Sequence, residues 1–137
     1  MANYNFNNAR NNDRVEKPSL SQVKVWVQEG VDKFAVEFAE KSGKYMQQNG
    51  LTTSQIRNFY GEIKRIQMSD FEKCKTSFCL LKPKIAYAVS RQSNDGIRFF
   101  QNFFNEAFPV IEGKKDFDHF CELMEAMLAY HKANNGK

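Results

Sequence analysis

Leu51 to Ile66 reads LTTSQIRNFYGEIKRI. Thr52 and Gln55 are spaced as a capping box, in which each side chain satisfies the other's backbone N–H at a helix start. Ile56, Phe59, Tyr60, Ile63 and Ile66 then recur at helical spacing and predict a helix from about Thr53 to Gln67 with one apolar stripe. Arg57, Gly61, Lys64 and Arg65 lie on a flank beside that stripe. Two turns of cations around a glycine suit a polyphosphate backbone, which favours positive charge and close approach.

The same periodicity extends outward in both directions. Upstream, Ser19 and Gln22 repeat the capping-box spacing after Pro18, and Leu20, Val23, Val27, Val31, Phe34 and Phe38 form the expected buried face. Gly30 is a candidate break dividing this region into two helices, and Asn49-Gly50 is a stop. Downstream, Ser69 is the expected cap for a helix carrying Phe71, Cys74, Phe78 and Leu81. Pro83 either opens a fresh helix or kinks a continuing one, with Ile85, Ala86 and Val89 facing inward. Ser93 to Gly96 is a loop, and Ile97, Phe100, Phe103, Phe104, Ala107 and Phe108 mark another helix that Pro109 ends. Gly113-Lys114-Lys115 is a linker. Asp116 is the expected cap of a last helix facing inward through Phe117, Phe120, Cys121, Met124 and Leu128.

No stretch alternates as a strand would, and the chain has only three Pro and seven Gly. The expected fold is therefore all-α: a compact bundle of about five helices over residues 18–137, a length suited to one domain. Residues 1–17, rich in Asn, have little to bury and are expected to form a flexible tail. With no secretory signal and no apolar run of membrane length, the expectation is a cytoplasmic protein with no membrane partner. Cys74, Cys79 and Cys121 then read as reduced, buried thiols.

Charge is unevenly spread. Residues 51–92 hold eight Lys/Arg against three Asp/Glu, a net +5, whereas residues 93–137 are net −2. Part of the basic excess lies in KPKIAYAVSR, residues 82–91, where Lys84, Ala88 and Arg91 share a helical face beside Tyr87. A small residue again separates two cations. Such a pattern fits sequence-independent contacts to nucleic-acid phosphates. The plainer reading is a set of solvated cations over a Phe-rich core, and a helical adaptor that binds only protein would look similar.

Catalytic chemistry finds little support. Asp116, Asp118, His119 and Glu122 are the best candidates for a metal, yet a bundle site needs ligands from several helices. Cys74 and Cys79 lack C-x-x-C spacing, no phosphate-loop glycine pattern exists, and His131 has no nucleophile motif beside it. No cofactor, catalytic residue or metal ligand is assigned.

Three stretches carry a family resemblance: LTTSQIR at 51–57, IAYAVSR at 85–91, and FCELMEAMLAYHK at 120–132. Together they resemble the small subunit of type III-A CRISPR–Cas effector complexes, the Csm small subunit, from about residue 51 onward. Ser90 stands where the family often has Gly. The resemblance implies a non-catalytic, RNA-binding component of antiviral defence that lines the duplex of guide RNA and target RNA. Its implied partners are those RNAs, the other effector subunits, and neighbouring copies of itself, with a homodimer possible in isolation. Arg57 and Arg91 fall within matched motifs. Lys64, Arg65, Lys82 and Lys84 join the expected RNA-binding set through charge and helical facing.

Overall fold

This computed structural model describes residues 14–135, so most of the expected tail lies outside the described residues. Six α-helices follow in order: α1 (Val23–Glu29), α2 (Lys33–Gln48), α3 (Thr53–Gln67), α4 (Lys75–Arg91), α5 (Asp95–Ala107) and α6 (Lys114–Asn135). Single 3-10 turns, Phe71–Cys74 and Phe108–Val110, lead into α4 and out of α5. No strand occurs among the described residues. Arg14 to Lys17 have no regular helix, but the Val15 N–H donates to Gln48 Oε1 at 2.9 Å.

Helix α5 is the centre of the aromatic core. Phe99, Phe100, Phe103 and Phe104 are all essentially buried, and they are stacked or tilted against rings from α2, α3, α4 and α6. Phe103 stacks on Phe120 at 5.5 Å and Phe100 on Phe59 at 5.1 Å. Such ring pairs add to the apolar area already removed from water. Phe99 lies outside the stripe read from sequence. It is buried because α2 covers a second side of α5, through Phe38 and Tyr45.

The start of the chain departs most from expectation. Gly30 does break the region, with φ +115, a backbone conformation that side chains disfavour. The break resets the helical phase. Helix α2 therefore buries Ala35, Phe38, Ala39, Ser42, Gly43 and Met46. Phe34, expected inside, is 58% exposed with Lys33 Nζ over its ring. Small residues let α2 lie against α6: a Cβ on Gly43 would fall 2.6 Å from both His131 N and Met127 O.

Several caps also differ. The Ser19–Gln22 box is not formed; Ser19 Oγ instead accepts from the Ser21 N–H, and α1 starts without a side-chain cap. Asp32 caps α2, accepting from the Ala35 N–H at 2.9 Å. Asp70, not Ser69, caps the turn at Phe71, while Ser69 Oγ donates to the Arg65 carbonyl. Asp116 lies inside the first turn of α6 and accepts from the Glu112 N–H. Pro83 sits within a continuous α4, and Ala86 is exposed. Cys121 is buried, Cys74 half-buried, and Cys79 exposed, against the expectation that all three are buried. Burial, helped by nearby acids, pushes the Cys121 thiol up to about 12.

Candidate nucleic-acid interface

The capping box of α3 forms in full. Gln55 N–H donates to Thr52 Oγ1 at 3.1 Å, and Thr52 N–H donates to Gln55 Oε1 at 3.0 Å. This sets the helical phase so that Phe59, Ile63 and Ile66 are buried. Arg57, Asn58, Gly61 and Arg65 are left exposed.

Helix α4 runs antiparallel beside α3. Two polar bridges join them: Lys84 Nζ to Glu62 Oε1 at 2.9 Å, and Gln55 Nε2 to Gln92 Oε1 at 3.3 Å. Arg65 Nε also donates to Glu62, at 3.2 Å. The Lys84 ammonium and then the Arg65 guanidinium hold the Glu62 carboxyl below its ordinary value. One carboxylate therefore serves two cations at the seam.

Gly61 occupies the crest between the cations, and a Cβ there would meet no atom of the described residues within 4 Å. The fold does not need a glycine at this position. Its effect is to leave a low point on an exposed ridge.

The six expected cations divide into three groups. Arg65, Lys84 and Arg91 line the α3–α4 side. Arg91 donates to the Tyr87 hydroxyl at 3.2 Å, with its guanidinium 5.7 Å from the ring centre. Arg57 and Lys64 lean the other way, toward α6. Lys64 pairs with Glu125 at 2.9 Å, which raises its pKa and keeps it charged. Arg57 has no polar partner among the described residues and rims a 440 Å³ cleft floored by Ile56, Tyr60, Leu128 and Ala129. Lys82 joins neither group. It stands over the Phe108 ring at 5.1 Å, on the far side of α4. Two residues along a helix is a rotation of about 200°, so Lys82 and Lys84 point apart.

Lys132 was missed by the sequence reading. It faces Arg57 across the same cleft, brought there by the α3–α6 packing. Its only sequence signal was its place at the end of the FCELMEAMLAYHK stretch. Ser90 lies within α4, where its hydroxyl donates to the Tyr87 carbonyl at 2.7 Å, and Arg91 is the last residue of the helix.

The residues considered for a metal are engaged separately. His119 Nδ1 lies 2.8 Å from the Val27 carbonyl, and Asp118 pairs with Lys114 at 2.7 Å. Among the described residues no three His, Cys, Asp or Glu side chains converge as ligands. His131 is buried, with Nε2 2.6 Å from the Leu51 carbonyl. No helix among the described residues is long and apolar enough to cross a membrane.

A family model described as Csm2 Type III-A matches residues 31–137. The match begins at Val31, upstream of the three motifs quoted above, and so takes in all of α2. No curated protein matches the chain, and no solved structure does.

Proposed function

The chain belongs to the Csm2 type III-A family, the small subunits of type III-A CRISPR effector complexes, and from that premise we propose how it meets RNA. It is a non-catalytic cytoplasmic subunit that flanks the duplex of guide and target RNA, beside other effector subunits and further copies of itself. Arg57, Lys64, Arg65, Lys84 and Arg91 grip sugar–phosphate oxygens on the two sides of the α3 crest. Base pairing reads the sequence, and the protein supplies a basic track.

The observation that carries this reading is the crest itself: Lys64 on one side and Arg65 and Lys84 on the other border a glycine whose missing side chain the fold does not require, with Arg57 and Arg91 in the clefts on those two sides. The ion pairs that tie Arg65 and Lys84 to Glu62 are surface pairs of modest strength. A phosphate can therefore compete for those cations. Lys82, turned to Phe108, lies outside the track and supplies a comparison residue.

The test is RNA affinity as a function of salt. The triple variant R57A/K84A/R91A should weaken binding to unrelated RNAs alike, and shallow the logarithmic salt slope by about 0.7 per lost single-strand contact. Lys82→Ala should change neither quantity. A folded triple variant with wild-type affinity and slope would reject the track, and absence of RNA binding both alone and within the assembly favours an adaptor that binds only protein.

A further inference from the structure

The α3–α4 face carries more than phosphate chemistry. A cleft of about 550 Å³ opens between the two helices, lined by Gln55, Asn58, Tyr87, Ala88, Arg91 and Gln92. Three of these six are carboxamides and one is an aromatic ring. A site for bare phosphate needs neither. A groove for an apolar protein segment would be lined mainly by aliphatic side chains, and of these six residues Ala88 is the single aliphatic one.

We propose that this cleft seats one unstacked nucleobase of an RNA strand, with Tyr87 as the stacking platform and Asn58 and Gln92 as the edge-binding amides. The proposal rests on the RNA-binding reading and adds a base contact to it.

The geometry assigns separate tasks. Tyr87 is 62% exposed, so Arg91 covers only part of its ring. The Arg91–Tyr87 hydrogen bond steadies both side chains and leaves other guanidinium N–H groups for the adjoining phosphate. Gln55 is spent internally, accepting from Thr52 and donating to Gln92 Oε1. That bond occupies Gln92 Oε1 and leaves its Nε2 as a donor without a hydrogen-bond partner among the described residues. Asn58 has no hydrogen-bond partner among the described residues, so its amide keeps both donor and acceptor. Each base carries donors and acceptors along its edges, and a rotatable amide can match more than one of them. The contact therefore tolerates all four bases, as a subunit flanking a guide-defined target requires.

The experiment compares the full-length chain on two single strands of equal length, one with bases and one abasic. Wild type should bind the base-bearing strand about tenfold more tightly. Tyr87→Leu should remove that advantage, whereas Tyr87→Phe, which loses the same hydrogen bond to Arg91, should retain it; any loss on the abasic strand should be equal in the two variants. Asn58→Leu should weaken the base-bearing strand alone. Ultraviolet crosslinking of wild type, read by mass spectrometry, should place a base on Tyr87 without any substitution. Equal wild-type affinity for the two strands, or a Tyr87→Leu loss that is the same on both, overturns the base contact and leaves the phosphate track standing. No binding of either strand, alone or in the assembly, removes both.

Discussion

The α2–α6 contact, a parallel pair, and the α3–α4 seam, an antiparallel one, are built on opposite terms. Ala35, Ala39, Ser42 and Gly43 bring α2 close to α6 over an apolar interface. The α3–α4 pair is joined across its outer face by Glu62–Lys84 and Gln55–Gln92, with cations and amides left in water. Close packing resists any change in volume, because its contacts are short and many. A hydrated polar seam tolerates substitution, because water replaces what is lost. Stability and the proposed recognition are thus held by different helix pairs, so the RNA contacts proposed for the seam need not endanger the fold.

The sharpest way to break this comparison is to empty the interior. Phe103→Ala should destabilise by about 3–5 kcal/mol in denaturant unfolding, since Phe103 is fully buried against Phe38, Phe100 and Phe120. Gly43→Ala should follow, at about 1–3 kcal/mol, because the new methyl meets α6 backbone atoms that cannot move aside alone. Ser42→Ala should run the other way. Its hydroxyl is buried with no hydrogen-bond partner among the described residues, so its removal should raise stability by about 1 kcal/mol.

The seam should behave differently under the same measurement. Glu62→Gln should alter stability by no more than about 1 kcal/mol. It should nevertheless tighten RNA binding and steepen its salt dependence, because Lys84 and Arg65 lose a competing carboxylate. A large stability loss in Glu62→Gln would erase the contrast between the two pairs.

His131 gives the smallest effect and ties the comparison to pH. Burial, opposed by the Leu51 hydrogen bond, leaves its folded-state pKa below the ordinary 6.5. The unfolded chain then takes up the proton first as pH falls. Its contribution is fully present above 6.5 and is lost as pH drops from there toward the folded value. Thermal unfolding followed between pH 7 and pH 5 should show a decline that is shallower in His131→Gln.

Much of the bundle was legible because its determinants are local. The α3 boundaries followed from Thr52, Gln55 and the apolar spacing after them, and Gly30 and Asn49-Gly50 marked stops through backbone preference. The misreadings share one cause. Phe34 was placed inside because hydrophobicity was weighed by residue and the phase was carried through Gly30. Ser42 and Gly43 have little hydrophobic signal, yet they line the closest helix contact. Ser19 and Ser69 had the right chemistry for caps, but α1 starts only at Val23, beyond Ser19, and Asp70 occupies the position where the chain turns into Phe71.

The candidate site was legible in charge but not in arrangement. Residue type showed that the middle third is basic and that small residues interrupt its cations. It could not show that Glu62 serves two of those cations, that Lys82 turns to Phe108, or that Lys132 arrives opposite Arg57.

By itself the sequence determined that the chain is helical, where most helices begin and end, and which segment carries the positive charge. These depend on spacing, capping and composition within a few turns. The tertiary structure alone decided which second faces are covered, which cations share a carboxylate, and which amides gather around Tyr87. Those outcomes depend on how helices distant in sequence lie against one another, and no local periodicity encodes that distance.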